Sequence, residues 1–181
     1  MWRVAASAQQ LPPGAGMAAA PPCDPSTKPT PARVPNGFHP NFPTRSKLSD
    51  AAGKDTQLVL SGSVIGLRCG LIAGATVEVW HADARGVIDA THFRGSQLTD
   101  ADGRYHVETI VPGAAPNEAP RVNLRVLVPK RASLSTVMFL PKDIAGAANA
   151  KDKAFDPLLA MTLVDRTASR VTASFNVILD L

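Results

Sequence analysis

The sequence predicts an all-β protein: an antiparallel β-sandwich preceded by an extended, proline-rich N-terminal arm. Three observations predict it. Short runs with period-two alternation recur from Leu58 to the C-terminus. Turn signals such as Asp100-Ala101-Asp102-Gly103 and Val111-Pro112-Gly113 separate those runs. Little of the chain carries helical periodicity, and many short strands with regular turns are the pattern of a sandwich.

The arm spans residues 1–49 and the sandwich residues 50–181. Most of the sixteen prolines fall in the arm, which shows neither helical nor strand period and therefore reads as extended and irregular. Its second half carries Phe38 and Phe42 between prolines, a pattern suited to a segment laid across a domain surface. The first strand is Leu58 to Ile65, with Gly62 read as a bulge or bend. Thr76 to His81 alternates, Val77 and Val79 on one face, Glu78 and Trp80 on the other. A long loop then leads to Asp100-Ala101-Asp102-Gly103, a turn whose glycine takes positive φ. Strands follow at Arg104–Ile110 and at Arg121–Val128, where Val122, Leu124, Val126 and Val128 face opposite to Arg121, Asn123, Arg125 and Leu127. Ser135 to Leu140 is a further strand, Asp143 to Asp152 a loop with at most a helical turn. Ala160–Val164 and Val171–Leu179 complete the set.

Composition excludes several function classes. The formal charge of +4 comes from scattered residues, and no Lys/Arg run exists to track a phosphate backbone, so nucleic acid is excluded as a partner. No apolar run approaches the roughly 18 residues of a membrane span. The start lacks a sustained apolar segment, although Ala18-Ala19-Ala20 resembles a cleavage-site remnant; the cytoplasm is favoured, with export the alternative. Cys23 and Cys69 fit no zinc spacing. They are either separate thiols or, in an exported chain, a disulfide worth about 3–4 kcal/mol in the chain-entropy model.

The combination Trp80-x-Ala82-Asp83 with Gly86, then Thr99-Asp100-x-x-Gly103-x-Tyr105 and Pro112-Gly113, resembles the core of the intradiol ring-cleavage dioxygenases. The arm around Phe38, Pro40, Pro43 and Arg45-Ser46, the run Cys69 with Ile72-Ala73-Gly74-Ala75, and the closing Phe175–Leu179 are similar to the same family. The resemblance covers most of the chain from Cys23 and implies a sandwich of the intradiol dioxygenase type. Transthyretin-like and carboxypeptidase-regulatory-type modules share the same strand and turn signals and are the structural alternative.

The family holds ferric iron with two tyrosines and two histidines. At the aligned positions this chain has Ile88, in Gly86-Val87-Ile88-Asp89, and Ala115, after Pro112-Gly113. The histidine stretch reads Glu118-Ala119-Pro120-Arg121-Val122-Asn123, giving Arg121 and Asn123. Glu118 replaces the arginine that steadies substrate charge, and Val137 stands where a glutamine is expected. Isoleucine and alanine carry no donor atom, arginine is a fixed cation, and asparagine alone is a feeble iron ligand. The whole chain has one tyrosine. No metal or other cofactor is therefore expected. His81, Asp83, His92 and His106 read as hydrogen-bonded surface groups rather than a relocated metal site.

The expected site is apolar, lined by Ile88, Ala115 and Val137 with Glu118 at its edge, and carries Arg121 and Asn123 as oxyanion donors. The opposing reading pairs Arg121 with Glu118 or another acid and fills the space. The implied function is binding of an aromatic or polyketide-like small molecule without iron, with a metal-free proton transfer, cyclisation or rearrangement as the chemistry. Alternatives are a non-catalytic subunit beside an iron-containing relative, an atypical iron-dependent dioxygenase, and a pure binding module. Homodimers and hetero-oligomers with a related chain are the assemblies left open.

Overall fold

The computed structural model describes residues 27–49, 55–68 and 70–181. Both cysteines, and with them the question of their pairing, lie outside the described residues, as does the arm–sandwich junction expected at residue 50. The described residues form two sheets packed as a sandwich. The first runs in the order β4 (Arg104–Ile110), β1 (Gln57–Gly66), β8 (Arg170–Ser174) and β7 (Thr162–Arg166), and β9 (Val177–Leu179) pairs with the far end of β1. The second runs β3 (Arg94–Leu98), β2 (Thr76–His81), β5 (Arg121–Val128) and β6 (Ala132–Phe139). Pairing is antiparallel except where β1 lies parallel to β8 and β9.

Alternation explains the layers. On β5, Val122, Leu124, Val126 and Val128 are buried, while Arg121, Arg125 and Leu127 on the other face are half-buried. The inward set meets Leu58, Leu60 and Val64 of β1, Val107 of β4 and Val171 of β8 in one core. Each such aliphatic side chain contributes roughly 1.5–3 kcal/mol by leaving water.

The arm crosses three of the four sheet edges. Arg33 N–H donates to Ser135 on β6 (2.8 Å). Ser96 N–H on β3 donates to Pro43 (2.9 Å), and Arg45 N–H returns to Ser96 (3.0 Å). On β4, Leu48 N–H donates to Glu108 (2.8 Å), and Glu108 N–H donates to Ser46 (3.0 Å). Backbone groups that would template a foreign strand are thus satisfied internally. The remaining edge, β7, has a register irregularity between Leu163 and Asp165 and exposes Asp165 and Arg166, two features that blunt strand addition.

Four details depart from the pattern read in the sequence. The stretch taken as a long loop contains β3, an edge strand whose Arg-Gly-Ser-Gln-Leu has no apolar alternation because the arm lies against it. Gly95 there leaves no room for a side chain: a Cβ would sit 2.4 Å from the Arg45 carbonyl. The segment after Leu140 forms an eight-residue helix, α1 (Lys142–Asn149), interrupted by non-helical geometry at Ala145. The expected strand Val171–Leu179 is two strands broken at Phe175-Asn176. Gly62 makes no bulge, since β1 pairs with β4 in unbroken register.

Gly62 has a different role, and it explains the break. Phe175 N–H donates to Ser61 (3.0 Å), the Asn176 side chain accepts from Ser63 N–H (3.0 Å), and Tyr105 O–H donates to the Phe175 carbonyl (2.6 Å). A Cβ on Gly62 would lie 1.8 Å from that same carbonyl. The chain steps away from β1 there to give its carbonyl to the only tyrosine. Gly62→Ala is expected to lower stability by about 1–3 kcal/mol through overpacking, read as a fall in urea midpoint at unchanged slope.

Candidate functional site

Strand register puts Arg94, Trp80, Asn123 and Val137 on one row across the second sheet, on the face turned from the core. Polar and aromatic groups on that face need cover, and the arm supplies it. The Phe38 and Phe42 rings lie edge-on to Trp80 at 5.6 and 5.5 Å. The Arg94 guanidinium sits 4.1 Å over Phe42 and donates to the carbonyls of His39 and Ala90. Trp80 Nε1–H donates to the Asn36 carbonyl (2.9 Å), and Asn123 Nδ2–H approaches the same oxygen (3.4 Å). Asn123 is 2 % exposed, and its Oδ1 has no partner among the described residues.

Two loops close the end of this face. Asp83 organises the first: its Oδ1 accepts from Arg85 and Val87 N–H (2.8 and 2.9 Å) and its Oδ2 from the Arg85 side chain (3.0 Å). The Val87 N–H above all, with Arg85, holds the carboxyl below the usual carboxylate range. Gly86, at φ +87°, and Gly113 let the second loop pack directly on the first. A Cβ on Gly86 would stand 2.6 Å from the Ala114 carbonyl, and one on Gly113 would stand 2.4 Å from the Ala84 carbonyl. This contact brings Ile88 and Ala115, distant in sequence, to one place.

Ile88, Ala115, Glu118, Arg121 and Asn123 line a single cavity of about 40 Å³, together with Asn36 and the small residues of both loops. The adjoining cleft, about 290 Å³, shares Asn36, Glu118 and Arg121 and adds Arg33, Val34, Pro35, Val137, Phe139, Asp152 and Ala154. Val137 therefore lies on the cleft and not in the inner cavity where it was expected. A cavity of roughly 150 Å³ can hold a benzene ring; the cleft exceeds that volume and the inner cavity falls well short of it.

Arg121 is already occupied. Its Nη2 donates to Glu118 (2.7 Å) and its Nη1 to Asp152 (3.1 Å). Asp152 also accepts from Ala119 N–H (2.8 Å) and Ala154 N–H (2.7 Å). The pairing that competed with an oxyanion role is thus present, with Asp152, in the turn after α1, as the more buried partner: its side chain is 6 % exposed, that of Glu118 42 %. No local signal in the sequence links positions 121 and 152. Asn36 could have been suspected from the turn-forming Pro35-Asn36-Gly37, but its use is a backbone carbonyl and leaves no mark in residue type.

His81 is not a surface group. It is 1 % exposed and stacks against Phe93 at 5.2 Å. Nδ1–H donates to the Ala82 carbonyl (2.7 Å), which leaves Nε2 to accept from the Thr109 hydroxyl (2.7 Å). Burial pushes its pKa down to about 4.

With this geometry, the relatives are informative. A family model described as dioxygenase matches residues 30–132. The chain belongs to the intradiol ring-cleavage dioxygenase family. The dioxygenase domain of a dioxygenase–carbohydrate-binding fusion from Streptomyces sp. SirexAA-E superposes with a TM-score of 0.76 at 31% identity, covering 85% of this chain and 99% of that one. Catechol 1,2-dioxygenase from Pseudomonas arvilla C-1 superposes at 0.70 and 21% identity, over 83% of this chain and 62% of that one, which attests the shared fold. In sequence, catechol 1,2-dioxygenase 1 of Acinetobacter lwoffii is 38% identical over 82 residues, 39% of this chain and 26% of that enzyme. Chlorocatechol 1,2-dioxygenase of Pseudomonas putida is 35% identical over 72 residues, 35% and 28% of the respective chains. The chain thus spans little more than a quarter of the curated relatives it matches.

Two measurements check this site. Arg121→Met strands the buried Asp152 carboxylate and should cost about 3 kcal/mol of folding stability; adding Asp152→Asn should recover part of that loss in a double-mutant cycle. For His81, the unfolded chain takes up a proton near pH 6.5 and the folded one near 4, so stability falls as pH drops through this window. The loss should reach about 3 kcal/mol by pH 4, and His81→Gln should flatten the slope of urea midpoint against pH in that interval.

Proposed function

We propose that this protein is an intradiol dioxygenase-family member that works without iron and binds a small aromatic or polyketide-like compound in the cleft and cavity beside Asn123. The carrying observation is the make-up of that cavity. Where the resemblance aligns two tyrosines and two histidines, its walls present Ile88, Ala115, Arg121 and Asn123.

These residues do not fit a ferric ion. Ferric iron in this family needs anionic phenolates and neutral imidazoles; here two side chains have no donor atom and a third is a permanent cation. The chain's one tyrosine gives its hydroxyl to the Phe175 carbonyl inside the core, where burial raises its pKa and keeps it neutral. Among the described residues no group of three His, Cys, Asp or Glu side chains is arranged to hold a metal ion.

An aromatic ligand is supported by the relatives, which are named for catechol and chlorocatechol, and by a cleft of ring-accommodating size walled by Pro35, Val137 and Phe139. Holding a ligand is favoured over transforming it. An oxyanion donor must keep its positive field for the charge that develops, and the field of Arg121 is spent on Glu118 and Asp152.

Metal analysis and oxygen uptake on the purified full chain test this reading. Iron well below one atom per chain, no ring cleavage of catechol, and saturable binding of single-ring compounds are expected. Stoichiometric iron with oxygen-consuming cleavage would overturn it.

A further inference from the structure

We infer that the inner cavity is a specificity recess selecting a neutral ring compound that carries a hydrogen-bond donor, such as a primary aryl amide, a phenol or an aryl alcohol, and rejecting carboxylates. This rests on the proposed small-molecule role and names the ligand class for the same site.

The first argument is an unmet acceptor. Asn123 is 2 % exposed and lines the cavity, its Nδ2 turns to the Asn36 carbonyl, and its Oδ1 has no partner among the described residues. A buried acceptor without a donor carries a free-energy penalty that a ligand O–H or N–H removes. A ligand lacking that donor leaves the penalty unrelieved, and sites built on this asymmetry discriminate strongly.

The second argument is charge. The arginines of the cleft are both compensated: Arg33 by Asp156 (2.6 Å), Arg121 by Glu118 (2.7 Å) and Asp152 (3.1 Å). An incoming carboxylate meets no free cation here and must approach Glu118 and Asp152, so desolvation and repulsion both oppose it. A neutral carbonyl or hydroxyl oxygen can still use the N–H donors that Arg121 keeps beyond its two ion pairs.

The third argument is size. About 40 Å³ suits one functional group, and about 290 Å³ beside it suits the ring. Recess and cleft share Arg121, Glu118 and Asn36, so one molecule can span both.

Three probes of nearly equal shape separate the possibilities on the full chain by calorimetry or ligand-observed NMR: benzamide, acetophenone and benzoate. Benzamide is expected to bind at least about 10-fold tighter than acetophenone, which lacks the donor, and than benzoate, which adds the charge. Asn123→Leu should bring benzamide down to the level of acetophenone while both still bind. Equal binding of all three, or tightest binding of benzoate, overturns the inference and leaves the small-molecule role standing. Binding of none of the three overturns both. The wild-type comparison decides even where the variant folds poorly.

Discussion

The indole N–H of Trp80 donates to the carbonyl of Asn36, and this contact fixes the arm to the outer face of the second sheet. Without it, a tryptophan, a buried arginine and a buried asparagine would stand on a bare sheet surface, each with polar atoms to satisfy. With it, the arm's two phenylalanines close on Trp80, Arg94 finds carbonyls at His39 and Ala90, and Asn123 finds half of its partners. The arm then continues along β3 and β4, satisfying the edges that a small sandwich otherwise exposes. The cavity and the cleft both count Asn36 among their walls, so the arm builds the site as well as covering the fold.

Charge at the site is arranged for closure. Asp152 lies in the turn after α1, Glu118 in the loop before β5, and Arg121 opens β5, so their ion pairs tie three segments together. The buried half of that arrangement matters most for stability, because Asp152 also accepts two backbone N–H groups and is nearly out of water. The exposed half, through Glu118, contributes little energy. What it does place is a carboxylate on the wall shared by the recess and the cleft.

Much of the fold was legible because period-two burial is written directly in residue type. Val122, Leu124, Val126 and Val128 could face only the core, and β2, β4 and β5 run between the residues that their patterns suggest. β3 was not legible, since an edge strand held by the arm needs no apolar face and Gly95 is there for proximity to Arg45. Gly62 was noticed for the wrong reason: a glycine in a strand signals either a bulge or a close approach, and only the carbonyl of Phe175 distinguishes them. His81 looked like a surface group because histidine usually is one, and its burial follows from Thr109 and Phe93, residues it meets only in the folded chain.

The sequence alone indicated a two-sheet sandwich with an arm, and it counts a single tyrosine in its 181 residues. Both follow from residue type and spacing, which need no knowledge of distant neighbours. The tertiary structure decided what the candidate site is made of. Ile88, Ala115, Arg121 and Asn123 share one cavity because Gly86 and Gly113 let two loops touch, and Arg121 is neutralised by an aspartate 31 positions away. Such pairings are set by chain reversal through space, and a linear pattern of residues carries no record of the charge that a folded neighbour will bring.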